Sequence, residues 1–243
     1  MAQPTKPITP RTQPGSPQRV GTTNPSLKPI SITLDHLASC ESSEYNGQKI
    51  LVATPGNALK YAKILLSKNI PTTVFINLAG TDAKIHEEFD RPVLNGLKNL
   101  GNRVELGVHS LKKTAPTEVG IQDANTDYQI DVIKKLMGVA PRVGSYHGSF
   151  SLPFPGNFAG KGLKYMRGIA TEGTVNTGKY NTPVEYTLNV IETATEPVTF
   201  FFHPNEIEEN INGKGTFFNS LVAGVGRKYR AIQYYEAMLI KYP

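Results

Sequence analysis

From residue 30 onward, short β-branched or aromatic runs alternate with longer amphipathic segments. This alternation constrains the fold more than any other feature, because a strand that keeps returning after a helix must lie parallel to its predecessor. The units recur about every 30 to 35 residues, the length of one strand and its crossover helix. Residues 30–34 read as the first strand, followed by a polar insertion and a helix that opens at Thr54-Pro55 and buries Leu59, Ala62, Ile64, Leu65 and Leu66. Asn69-Ile70-Pro71 ends that helix. Further strands are predicted at 72–77, 103–108, 142–146, 165–170, 186–191, 198–202 and 229–235, with helices at 91–100 and 123–137 closed by Gly101 and Gly138. The expectation is an α/β fold, a distorted (β/α) barrel of about seven to eight mainly parallel strands, with functional residues where strands end and loops begin.

The first 29 residues have a different texture. Seven of the 18 prolines fall there, among Thr, Ser, Gln and Gly, a composition that favours extended chain over a packed core. Residues 1–29 are therefore read as a disordered Pro-rich linker and residues 30–243 as one barrel domain. The linker also explains the charge. It holds Lys6, Arg11, Arg19 and Lys28 and no acid, four of the six excess positive charges, so the rest of the chain is nearly neutral. With the basic excess outside the domain and no interleaved aromatic and basic motif, a nucleic-acid partner is not expected. The single cysteine, Cys40, excludes an intramolecular disulfide, and no Cys/His cluster has zinc-finger spacing. No run of 18 apolar residues occurs, so no membrane span is expected. The opening MAQPTKPITP lacks a basic segment followed by an apolar one, which leaves a cytoplasmic protein or one whose signal has been removed.

Five histidines remain to be placed: His36, His86, His109, His147 and His203. His36, His109 and His203 each follow a predicted strand directly or within two residues, and His147 sits in Ser145-Tyr146-His147-Gly148 after a fourth. Strand ends of a parallel barrel converge on one rim, so these four are candidates for a common site. His86 lies in the polar run 82–90 and is read as an ordinary surface residue.

The order of these segments resembles that of the polysaccharide deacetylases, the NodB-homology domain of carbohydrate esterase family 4. Thr33-Leu34-Asp35-His36-Leu37 stands where the family has Thr-Phe-Asp-Asp-Gly. Residues 54–78 are similar to the family's helix-to-strand passage, notably Lys68-Asn69-Ile70-Pro71-Thr72-Thr73-Val74-Phe75-Ile76. Val104 to Ser110 looks like the start of the His-Ser/Thr-x-x-His motif, 140–148 lies where Arg-Pro-Pro-Tyr-Gly belongs, and Phe201-Phe202-His203-Pro204 resembles the late Leu-x-His motif.

The resemblance implies a metal-dependent hydrolase that removes acetyl groups from an N- or O-acetylated polysaccharide, secreted or held in the cell envelope. Asp35 would be the general base and His203 the general acid, while a divalent metal, zinc by the chemistry of its ligands, polarises the acetyl carbonyl and activates water. His109 is a metal ligand by its position. His36 takes the place of the metal-binding Asp, and both it and Asp35 reach one site only if the strand ends between them. Lys113 stands where the second histidine belongs, and an ammonium has no lone pair for a metal. His147 is the candidate for the missing ligand, with Tyr146 and Lys113 as substrate contacts. Gly144 replaces the motif's arginine. A different class also remains open: a non-catalytic, carbohydrate-binding relative in which Lys113 occupies the volume and charge of the lost metal.

Overall fold

The structure, a computed structural model, describes residues 25–37, 42–45, 48–51, 57–78, 83–110, 119–146, 158–167 and 189–242. Nine strands and seven α-helices lie within them: β1 (Lys28–Asp35), β2 (Ser42–Tyr45), β3 (Gln48–Leu51), α1 (Ala58–Ser67), β4 (Thr72–Ile76), α2 (Ala83–Asn99), β5 (Val104–His109), α3 (Val119–Met137), β6 (Val143–Ser145), β7 (Tyr165–Arg167), α4 (Asn189–Thr193), β8 (Val198–Phe202), α5 (Pro204–Glu208), α6 (Lys214–Gly224), β9 (Tyr229–Ile232) and α7 (Tyr234–Lys241). Seven strands form one sheet in the order β7-β6-β5-β4-β1-β8, with β9 also paired to β1. Every pairing in it is parallel. This is the distorted β/α barrel expected from the alternating pattern.

Local chemistry sets the element ends. The Asn57 side chain accepts a hydrogen bond from the Lys60 amide at 2.9 Å and caps α1, whose Ala58, Tyr61, Ala62, Leu65 and Leu66 are buried. Asn69, at φ 59°, turns the chain out of that helix into Ile70-Pro71 and β4. On the sheet's helix-covered face Ile30, Ile32, Leu34, Val74, Ile76, Leu106, Val108, Phe200 and Phe202 join the apolar residues of α1, α2 and α6 in one core. Burying a side chain of this size contributes about 1.5–3 kcal/mol. The alternate residues form the inner face and are largely polar: Ser31, Thr33, Asp35, Thr73, Glu105, His109, Ser145, Arg167 and Thr199. A small second cluster, Phe75, Val143, Tyr234 and Met238, closes that interior where α7 crosses it. The helix is tied down through its first amides, Tyr234 to Thr73 Oγ1 at 2.9 Å and Tyr235 to Glu105 Oε2 at 3.1 Å.

Several sequence expectations change. The strand predicted at 186–191 is helical where it is described, as α4, and Ile191 is buried from a helix; a short apolar run does not distinguish the two periods. The strand predicted at 229–235 stops at Ile232, because Gln233 caps α7 and the tyrosines that looked like strand residues open a helix. Helix α2 starts at Ala83, eight residues before the predicted start, so the polar run that holds His86 is helical from Ala83 on. The polar insertion after β1 carries the antiparallel pair β2–β3. Strand β1 begins at Lys28, inside the predicted linker boundary, with the Lys28 ammonium donating to the carbonyl of Ala194 at 2.9 Å; residues 1–24 lie outside the described ones.

Candidate active site

Strand β1 ends at Asp35, and His36 adopts a left-handed backbone at φ 67°. An L-residue seldom holds this conformation, and here the His36 amide secures it by donating to the carbonyl of Phe75 at 3.0 Å. Two neighbours that would point to opposite faces of a continuing strand therefore both serve one end of the barrel. The His36 ring meets the His109 ring edge-on at 4.8 Å between centroids and the His203 ring at 5.0 Å. His109 Nε2 lies 3.5 Å from Asp35 Oδ2. The structure thus brings Asp35, His36, His109 and His203 together. Tyr146 follows β6 half-buried, its ring edge-on to Phe158 at 5.6 Å. His147 and Lys113 lie outside the described residues.

Arg167, at the end of β7, is a member of this cluster that sequence reasoning missed. Its guanidinium pairs with Asp35 Oδ2, donates to Thr33 Oγ1 at 2.7 Å, and lies between the rings of Phe75 and Phe201 at 4.9 and 4.5 Å. Arg167 and Asp35 are each almost fully buried. Burial alone would raise the Asp35 carboxyl, but the Arg167 charge and the His109 ring outweigh it and hold the group well below the ordinary carboxylate range. The register sets Gly144 on the opposite face of the sheet from Arg167. Val108, Gly144 and Met166 are neighbours on the helix-covered face, whereas His109, Ser145 and Arg167 share the inner one. A Cβ at 144 would lie 2.5 Å from Met166 Sδ. The cation beside Asp35 comes from β7.

His109 is held by its backbone as well as its ring. The Gln129 side chain of α3 accepts from the His109 amide at 3.1 Å and donates to the His109 carbonyl at 2.8 Å. The ring's Nδ1 is 2.9 Å from the carbonyl of Ser110, which only accepts, so Nδ1 carries a hydrogen there. Nε2 then faces Asp35 Oδ2 either as a second N–H or as a lone pair that needs a bridging cation. At His203 the pattern differs: Nδ1 is 3.0 Å from Glu206 Oε2, and the Lys214 ammonium is 2.5 Å from Glu206 Oε1. Burial would raise Glu206, yet its contacts with His203 and Lys214 lower it to about 2.

Among the described residues no three His, Cys, Asp or Glu side chains are arranged as a group to hold a metal ion. The donor chemistry nonetheless suits one. Two imidazoles adjoin, one has its distal nitrogen turned to a backbone carbonyl as metal-binding histidines do, and Asp35 Oδ1 is buried without a hydrogen-bond partner among the described residues.

With this geometry in view, the chain can be set beside known proteins. It matches no family model, and no curated protein is similar to it in sequence. Solved structures do match. The Bc1960 peptidoglycan N-acetylglucosamine deacetylase aligns with 87% of this chain and 88% of its own at a TM-score of 0.52 and 14% identity. Puue allantoinase aligns over 90% and 92% of the two chains at 0.56 and 11%. A 4-alpha-glucanotransferase from Thermococcus litoralis aligns over 88% of this chain and 40% of its own at 0.57 and 13%. What these likenesses define is the fold, a distorted β/α barrel shared with a peptidoglycan deacetylase. At these identities the likeness is one of fold, and the fold also serves an allantoinase and a glucanotransferase, so the reaction has to be argued from the site.

Proposed function

We propose that this protein is a divergent carbohydrate deacetylase, a hydrolase that releases acetate from an N- or O-acetylated polysaccharide of the cell envelope. The observation that carries the reading is the convergence of Asp35, His36, His109 and His203 at one end of the sheet, with each candidate acid or base supported by a separate charged residue. Asp35 keeps Oδ2 on Arg167 and has Oδ1 left to accept a proton from water. Its low proton affinity makes it a weak base, suited to a water that is already acidified. A divalent cation, zinc by the softness of imidazole, would be held by His36, His109 and His147 and would supply that acidification and polarise the acetyl carbonyl. His203, backed by the Glu206 carboxylate, gives its proton to the departing amine or alcohol. Tyr146 and Lys113 are the candidate sugar contacts at the rim. No described helix is long and apolar enough to cross a membrane.

The non-catalytic reading draws on one observation as well: the buried guanidinium already neutralises Asp35. One experiment separates the two. Zinc titration by calorimetry, alongside acetate release from partly acetylated glucosamine oligomers, should show zinc-dependent release that Asp35→Asn abolishes. A wild type that binds no zinc and releases no acetate overturns the hydrolase reading.

A further inference from the structure

Glu206 and Lys214 form a chain of polar contacts that begins at His203 Nδ1. His203 is the N-cap of α5, and Glu206 is that helix's third residue, so the carboxylate reaches back to the capping residue itself. Oε2 accepts from the His203 amide at 3.3 Å and faces Nδ1 of the same residue at 3.0 Å. Oε1 accepts from Lys214, the first residue of α6, whose side chain is only 7% exposed. Both carboxylate oxygens are therefore committed, one to the histidine and one to a buried ammonium.

We infer that Glu206 and Lys214 are positioning residues that fix the tautomer of His203, the buried ammonium deciding which way the residue-206 side chain can present oxygen to the ring. An ionised carboxylate only accepts, so the neutral ring must keep its hydrogen on Nδ1 and gives and regains its working proton at Nε2. Lys214 makes this arrangement intolerant of an amide. In Glu206→Gln one end of the side chain is an oxygen and the other an NH2 group. Turning the oxygen to His203 sets N–H donors against a buried cation, which costs more than a lost neutral hydrogen bond. The oxygen instead stays on Lys214 at the expense of the long 3.3 Å bond from the His203 amide, the NH2 group faces the His203 ring, and Nδ1 becomes the acceptor. The ring is driven into the opposite tautomer. Removing the cation as well, in Glu206→Gln/Lys214→Met, frees the amide to turn its oxygen back to the ring.

The inference deepens the hydrolase reading and depends on it only for the part His203 plays in turnover. Its test is the ¹⁵N ring spectrum of His203 in the full chain, at pH values where the ring is neutral, read together with acetate release. The wild type should carry hydrogen on Nδ1, Glu206→Gln on Nε2, and the double variant on Nδ1 again. kcat should fall about 10–100-fold in Glu206→Gln, the range for a group supporting an active histidine, with KM unchanged, and recover in the double variant. A wild-type ring with hydrogen on Nε2, or no change of tautomer in Glu206→Gln, overturns the inference. The predicted tautomers in a protein that releases no acetate would uphold it and defeat the hydrolase reading instead.

Discussion

The two faces of the sheet are built from the same strands, yet they divide the work of the molecule between them. In β1, Ile30, Ile32 and Leu34 point to the helices, while Ser31, Thr33 and Asp35 point inward, and all six are buried. The outer side chains belong to the apolar core and contribute by being removed from water. The inner ones are polar groups that have already lost water, so each costs stability unless the protein supplies a partner. Asp35 and Thr33 are supplied, by Arg167. Ser31 and Thr199, neighbours in the register between β1 and β8, have hydroxyls with no partner among the described residues. The outer face holds the fold together, and the inner face carries polar groups whose value lies in chemistry.

The sharpest test of this division is Arg167→Met. It leaves Asp35 buried and uncompensated, and stability measured by urea unfolding should drop by about 3–5 kcal/mol, with acetate release lost. Adding Asp35→Leu should return most of the stability and none of the activity. A double variant no more stable than Arg167→Met would mean that the inner pair cannot be exchanged for apolar packing, and the two faces would be less different than argued. Leu34→Ala, on the outer face of the same strand, should cost about 2–5 kcal/mol while the turnover of the molecules that remain folded stays at the wild-type rate. A changed rate at full occupancy of the folded state would tie the outer core to the site. The smallest effect is expected for Thr199→Val, where a hydroxyl without a partner among the described residues is replaced by a methyl of nearly equal shape. Stability should change by less than about 1 kcal/mol, in either direction. A larger loss would reveal an ordered water bound to Oγ1.

Which parts of the molecule can be read from the sequence follows the same division. The outer face repeats apolar residues at regular spacing, so strands β1, β4, β5 and β8 and helices α1 and α3 are legible as patterns. Asp35, His109 and His203 are legible because strand ends are punctuated by polar residues, and their order along the chain resembles a known family. Arg167 is not, because its partner is 132 residues away and meets it only when the sheet curls. Its one local trace is a lone charge inside an apolar run, Tyr165-Met166-Arg167. The tyrosines of α7 mislead for the opposite reason: they are strand-like in composition, and only their amide bonds to Thr73 and Glu105 favour the helix. The Glu206 contact was open to local reading, since His203-Pro204-Asn205-Glu206 has the spacing of a reciprocal helix cap.

The clamp that Gln129 places on His109 imitates a strand. Its amide offers an oxygen to one backbone N–H and an N–H to one backbone carbonyl, as a neighbouring peptide would, and Asn125 Oδ1 steadies it from one turn away on α3 at 2.5 Å. Such a grip is blind to whatever side chain residue 109 carries. Position 109 is therefore a socket: the barrel keeps its shape around it while the group it presents is exchanged, and a lineage could trade one chemistry for another there without first renegotiating the architecture.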